Sequence, residues 1–205
     1  SITKLDEVVL KGNTILGNKF ASKNRTGSSF YLSKAELNQF GDIDINRVLD
    51  RIPGVTVYEE DGFGLRPNIS LRGTSPERSS KITIMEDGIL AAPAPYSASS
   101  AYYFPLVARM SAVEVLKGSS QIQYGPNTTG GVINFVSSEI SDSLKIDVEN
   151  IYGSFKSGKL VSRISNSNET LGYLLEYLNF NSDGFKSIEG EGNTGFDINE
   201  FLFKF

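Results

Sequence analysis

The 205-residue chain is 39% hydrophobic and 21% charged, which is enough apolar material to bury a core and too much for a disordered segment. It contains no His and no Cys, so imidazole bases, thiolate nucleophiles, Cys/His zinc sites and disulfides are excluded by inventory. The net charge of −4, with Lys and Arg scattered instead of striped, offers no surface for a phosphate backbone, so no nucleic acid is expected as a partner.

No run of 18 apolar residues occurs, so no transmembrane helix is expected. The first residues lack the charged start and apolar stretch of a signal peptide, and the chain reads as mature or trimmed. Leu5-Asp6-Glu7-Val8-Val9-Leu10 is a short apolar-acidic run with nothing nearby to pair with, followed by a polar stretch to Ser29. Such a segment can add as a strand to the edge of a partner's sheet. Periodicity alone leaves a disordered leader or a first edge strand equally open.

Next, Asp42 or Asp44 can cap a helix in which Ile45, Val48, Leu49 and Ile52 recur at helical spacing, and Pro53-Gly54 stops it. The Asp42-x-Asp44-x-Asn46 spacing is not a calcium loop, because Arg47 stands at the turn glycine and Pro53 at the bidentate Glu. Gly62-Phe63-Gly64 is not a dinucleotide loop either, since Pro67 occupies its last glycine position. Val55 to Tyr58, Asn68 to Gly73 and Lys81 to Glu86 read as short strands, the last closing on the tight-turn pair Asp87-Gly88. Two further β-branched runs, Val113 to Leu116 and Val132 to Val136, are joined by a compact segment carrying Gly118, Gly125, Pro126, Gly130 and Gly131, with a helical turn expected through Gln123. Together these five runs predict one small sheet flanked by short helices.

From Leu144 the pattern changes to long two-faced strands. Leu144, Ile146, Val148, Asn150 and Tyr152 alternate with charged residues, a second strand covers about Lys159 to Asn166, and a third runs from Leu171 to Asn181 with Leu171, Tyr173, Leu175 and Tyr177 on one face. A fourth ends at Phe201, Phe203 and Phe205. Each approaches the roughly 9–11 residues a tilted strand needs to cross a bilayer, with aromatics near the ends. A soluble antiparallel meander would carry the same alternation.

The order of these motifs resembles the plug domain of TonB-dependent outer-membrane receptors. Leu49-Asp50-Arg51-Ile52-Pro53-Gly54-Val55, Ile69-Ser70-Leu71-Arg72-Gly73, Asp87-Gly88-Ile89 and the closing stretch from Val113 through Gly118, Gly125, Gly130 and Gly131 carry the resemblance. It implies an α+β plug domain with a small mixed sheet, followed by the first antiparallel strands of a transmembrane β-barrel of about 22 strands. The expected division is an N-terminal extended segment over 1–29, the plug over 30–138, and about four strands of an incomplete barrel over 139–205, so that the chain is the N-terminal portion of a longer receptor. Leu5, Asp6, Glu7, Val8, Val9 and Leu10 become a candidate TonB box, with TonB and its inner-membrane energy-coupling complex as partner.

The resemblance further implies TonB-dependent import of a scarce nutrient, foremost a ferric chelate or siderophore, across the bacterial outer membrane. The plug would lie inside the barrel, the N-terminus would face the periplasm, and lipid would cover the barrel. Iron would arrive only within the transported chelate; no cofactor or metal site belongs to the protein itself. Ala91 to Pro105, with three prolines and no charge, is the expected substrate-facing loop. Its Ala-Pro-Tyr and Phe-Pro bracketing is similar to the ferric-dicitrate branch, although Ser97-Ala98-Ser99-Ser100 stands where that branch carries glutamines. The substrate-binding set is Arg72, Tyr96, Ser97, Ser99, Ser100, Tyr102 and Tyr103; Phe104 and the tyrosines could equally serve only as packing. Arg47, Arg51 and Arg72 could pair with barrel carboxylates or satisfy local carbonyls.

Two other function classes stay open. A stand-alone plug-like periplasmic binding or signalling module would share the glycine motifs without needing the strands after Leu144, and the cargo of a transporter could instead be a glycan or cobalamin. An enzyme is not expected, because no Ser-x-x-Lys stands in a recognisable setting and the carboxylates Glu59-Glu60-Asp61 and Glu86-Asp87 sit at turns, where they read as solvated.

Overall fold

The computed structural model describes residues 13–24 (of Phe20, the backbone only), 27–39, 44–91, 97–100, 103–118, 123–125, 128–187 and 192–205. Leu5 to Leu10, Asp42, Tyr96, Tyr102 and the turn expected just before Gln123 lie outside them. The chain divides into two compact units, Ser1–Ser137 and Ser138–Phe205.

In the first unit, strands β1 (Ser28–Ser33), β4 (Ile82–Glu86), β5 (Ile89–Leu90), β6 (Met110–Lys117) and β7 (Gly131–Ser137) form a mixed sheet in the order β1-β6-β7-β4-β5. Only β4 and β7 run parallel; the other neighbours are antiparallel. Strands β2 (Val55–Tyr58) and β3 (Asn68–Leu71) pair only with each other among the described residues. The single sheet expected from the sequence is thus two, and the larger one contains β1, which falls in the stretch read as leader and plug entry. The helices are short: α1 (Lys19–Asn24), α2 (Lys34–Asn38) and α3 (Ile45–Leu49).

Local chemistry explains where these elements start. Ser33 and Glu36 make a reciprocal capping box at α2, and Asp44 caps α3 by accepting from Asn46 N at 2.8 Å. A hydrogen bond from Lys19, with further ones from Ser33, holds the Glu36 carboxyl down at about 2. Asp87 and Gly88 both take positive φ, 51° and 78°, which suits the two-residue turn between β4 and β5.

Both faces of the larger sheet are covered. On one, Val113, Val115, Ile133 and Phe135 pack with Val48, Leu49 and Ile52 from the helical segment and with Val55, Ile69 and Leu71 from the smaller ribbon. Phe104 meets Phe135 edge-on at 5.2 Å. On the other, Met85, Leu116 and Val132 are covered by Ile15, Leu16, Leu90 and Tyr124.

The second unit is an antiparallel meander of β8 (Lys145–Tyr152), β9 (Gly158–Ser167), β10 (Gly172–Ser182) and β11 (Phe196–Lys204). Its register aligns Ile146, Ile164, Leu175 and Phe203 in one row and Val148, Ser162, Tyr177 and Phe201 in the next. Exposed Ile146, Val148, Phe201 and Phe203, at 59–79% accessibility, make that face a continuous apolar surface of the kind a barrel turns to lipid. The opposite face mixes buried Val161, Leu174, Leu178 and Phe180 with ion pairs of Arg163 to Glu176 and of Lys159 to Glu149. No helix among the described residues is long and apolar enough to cross a membrane.

Candidate functional site

The glycine motifs converge on two cations. Gly54 O accepts Arg72 N at 2.8 Å, Lys117 Nζ donates to Pro53 O at 2.6 Å, and Gly118 N donates to Gly130 O at 2.9 Å. Gly130 N in turn donates to Lys81 O at 2.8 Å. The structure therefore brings Pro53, Gly54, Gly118, Gly130 and Gly131 around Arg72 and Lys117, with Gly73 next in chain to Arg72. Gly125 instead accepts from Thr128 Oγ1 at 3.2 Å within its own turn.

Arg72 is exposed and sits at φ 52°, an unusual left-handed conformation for a non-glycine residue that follows from the turn after β3. Lys117 is 8% exposed and lies 5.8 Å over the Phe30 ring. Its pKa is depressed, first by burial and then by the neighbouring Arg72 charge. Together with Lys23 they line a cavity of about 730 Å³ floored by Ser28, Ser29 and Gly118, and no carboxylate stands among its described lining. Three cations around one hollow raise the local electrostatic potential and lower the energy of an anion placed there. Lys23 and Lys117 were not among the residues singled out from sequence. The signal available for Lys117 was its place before Gly118 in the closing motif.

The expected substrate loop divides differently. Ser97 is exposed, whereas Ser99 and Ser100 are 0% and 2% accessible. Ser99 Oγ donates to Ile82 O at 3.1 Å, and Ser100 Oγ to Pro67 O at 2.6 Å with Ser79 Oγ 2.8 Å away. These two hydroxyls fasten the loop to β4 and to the entry of β3. Tyr103 is half-buried, and its hydroxyl donates to Glu86 Oε2 at 3.0 Å while accepting from Arg109 Nη2 at 2.6 Å.

Of the turn carboxylates expected to be solvated, Glu59 and Glu60 are exposed, whereas Asp61, Glu86 and Asp87 are partly buried and engaged. Glu86 forms a bidentate pair with Arg109, whose side chain is only 7% exposed. Asp61 accepts main-chain N–H groups from Phe63, Leu65 and Arg66 and shapes the loop between β2 and β3. Asp87 accepts from Ser137 N at 2.9 Å and from Ser137 Oγ. Glu59 accepts from Asn46 Nδ2 at 3.2 Å.

Asp44 carries a pH-dependent consequence. Burial first, then the nearby Glu59 charge, push its carboxyl up from 3.8 to about 6, against the lowering hydrogen bond from Asn46 N. A raised pKa means that the folded state holds the proton more tightly than the unfolded state. The stability contributed is fully present below about pH 3.8 and is lost as pH rises through about 6. Asparagine keeps the cap acceptor without the charge. Asp44→Asn is expected to be neutral near pH 4 and, after discounting for solvent screening, stabilising by about 1 kcal/mol at pH 8. Thermal melts at the two pH values check this, with an expected gain of roughly 2–4 °C at pH 8 only.

Comparison with known proteins gives a consistent result. Residues 22–132 match the family described as the TonB-dependent Receptor Plug Domain. Among solved structures, the ferric citrate transporter FecA in its unliganded form superposes with a TM-score of 0.78 at 23% identity, over 97% of this chain and 31% of that one. The ferric yersiniabactin uptake receptor FyuA from Yersinia pestis gives 0.70 at 21% identity, over 89% of this chain and 28% of that one. The pyoverdine outer membrane receptor FpvA from Pseudomonas aeruginosa PAO1, bound to pyoverdine, gives 0.62 at 25% identity, over 78% of this chain and 23% of that one. The chain spans less than a third of the length of each.

Proposed function

The chain belongs to the TonB-dependent receptor plug-domain family, and from that premise we propose that it is the plug and first barrel strands of a receptor that imports a ferric chelate across the bacterial outer membrane. The observation that carries the cargo class is the cavity that Lys23, Arg72 and Lys117 line together, with no carboxylate among its described lining residues. Ferric siderophores and ferric citrate complexes are anionic oxygen donors, and a guanidinium beside an ammonium suits their carboxylates. Likeness to the ferric citrate transporter adds weight to a citrate-type chelate. Among the described members of the expected substrate set, Arg72 and Ser97 are exposed; Tyr96 and Tyr102 belong to the same loop in sequence.

In this reading Leu5 to Leu10 is engaged by TonB and its inner-membrane complex from the periplasm. The apolar rows of β8 to β11 face outer-membrane lipid, and the plug lies within the barrel. The protein acts as a transporter and not as an enzyme, with iron as cargo inside its chelate and no resident cofactor.

Uptake of radiolabelled ferric citrate by cells producing the full-length receptor tests the proposal. Arg72→Glu is expected to weaken chelate binding about tenfold or more, since it converts an attractive contact into a repulsive one. Binding and import at parental levels would exclude Arg72 from cargo recognition. Removal of residues 1–11 is expected to abolish binding to the periplasmic domain of TonB while chelate binding is retained, and equal TonB binding by both forms would refute the coupling assignment.

A further inference from the structure

We propose that Glu114 and Asn134 form a buried clip that seats residues 13–16 on the sheet and links that seat to the Asp87-Gly88 turn. The two residues stand directly opposite each other on β6 and β7, on the face covered by Leu16, and both are 0% exposed. A glutamate and an asparagine buried in the middle of two strands are costly unless every polar atom finds a partner.

They find them in two distant pieces of chain. Glu114 Oε2 accepts from Ile15 N at 2.8 Å and from Asn134 Nδ2 at 2.8 Å, and Glu114 Oε1 accepts from Leu16 N at 2.9 Å. Asn134 Nδ2 also donates to Asn13 O at 3.1 Å, and Asn134 Oδ1 accepts from Gly88 N at 2.9 Å. The network fixes the amide orientation. A flipped Asn134 would set its NH2 against the Gly88 N–H and its oxygen against both a carboxylate and a carbonyl.

The arrangement makes seating cooperative. Lifting Ile15 and Leu16 leaves a buried carboxylate short of two donors, so the segment leaves as a unit and not residue by residue. Asn134 is the link, because one amide holds Asn13 on one side and Gly88 on the other. The turn is itself tied to β7, through Asp87 N donating to Phe135 O at 2.9 Å and Ser137 N donating to Asp87 Oδ1 at 2.9 Å. Displacement of the turn therefore drags or breaks the Asn134 amide contacts, and with them the seat of residues 13–16.

Residues 13–16 follow shortly after the candidate coupling segment, and the turn leads through β5 into the 91–105 loop. A role for the clip in passing loop state to the coupling segment rests on the import reading above; the clip and its link do not.

Because these 205 residues hold no cysteine, Leu16→Cys, placed in a full-length receptor whose cysteines elsewhere, where it has any, are replaced by serine, supplies a single thiol at a site now 5% exposed. Its labelling rate, measured with neither chelate nor TonB present, reports seating directly. In that background Glu114→Gln is expected to raise the rate about tenfold, since the amide nitrogen cannot accept from a main-chain N–H. Asp87→Ala, which removes the carboxylate accepting from Ser137 and leaves Glu114 and Asn134 unchanged, is expected to raise it severalfold. Should Asp87→Ala fail to fold by near-ultraviolet circular dichroism, Ser137→Ala repeats that arm by removing only the hydroxyl donor to Asp87. Parental labelling in Glu114→Gln would overturn the clip, and fast labelling there with parental labelling in the turn variants would overturn the link. Failure of ferric chelate uptake changes neither outcome.

Discussion

Gly131→Ala is expected to destabilise the first unit by about 4 kcal/mol or more, enough to leave it largely unfolded at moderate urea. A Cβ at this position would lie 2.0 Å from Leu116 O, 3.1 Å from Leu116 C and 2.9 Å from Leu71 Cδ1, and the backbone there sits at φ 140°. The obstructing atoms belong chiefly to the main chain of the paired strand β6, so no rotamer change can relieve the clash. The strand must shift, and shifting Leu116 disturbs its pairing with Val132 and the donation from Gly118 N to Gly130 O. Gly73 is the internal control. Its φ of 76° is equally left-handed, yet nothing lies within 4 Å of its would-be Cβ, so Gly73→Ala should lose only about 1–2 kcal/mol of backbone strain. Pulse proteolysis across a urea series would order the two, and a Gly131→Ala midpoint equal to that of Gly73→Ala would contradict the packing argument.

That contrast also shows which parts of the molecule could be read from residues alone. Gly73, Gly130 and Gly131 all stand out as turn signals, but whether a glycine is needed for its φ or for the absence of a Cβ depends on an approaching strand that the sequence does not locate. The long strands after Leu144 were legible because one side of each alternates with charge, and the structure places those alternating residues in continuous rows. Strand β1 was not legible. Ser28-Ser29-Phe30-Tyr31-Leu32-Ser33 has no clear period, and it becomes a strand through six consecutive pairings with β6, a tertiary effect that overrides weak local preference. The serines of the expected substrate loop failed for a related reason. A serine in an apolar-polar run serves water or a buried carbonyl equally well, and Ser99 and Ser100 serve carbonyls of Ile82 and Pro67. The cationic cavity was half visible, through Arg72, because its other members are supplied by α1 and the end of β6, which the fold alone brings together.

Loss of Arg109 is the second large effect expected, about 3–5 kcal/mol for Arg109→Met alone, because it strands a mostly buried carboxylate. Arg109 and Glu86 meet through a fork of two hydrogen bonds, and Tyr103 closes the triangle by accepting from Arg109 and donating to Glu86. The attraction is strong only because water is largely excluded, and the same exclusion makes each partner expensive when alone. Replacing both, Glu86→Met with Arg109→Met, should therefore recover most of the stability lost by either single change. A coupling energy of about 2 kcal/mol or more in the double-mutant cycle is the expected signature. Coupling below roughly 0.5 kcal/mol would mean that the pair is hydrated and contributes as a surface bridge does. Tyr103→Phe separates the remaining contribution, with an expected cost of about 1 kcal/mol for one hydroxyl shared between two charged partners. Because Tyr103 stands at the C-terminal root of the 91–105 loop, while Ser99 and Ser100 pin its middle to the sheet and the smaller ribbon, that variant should loosen the loop at one end without unfolding the unit. Faster backbone hydrogen exchange at residues 103–106, with residues 97–100 unchanged, would separate the two fastenings.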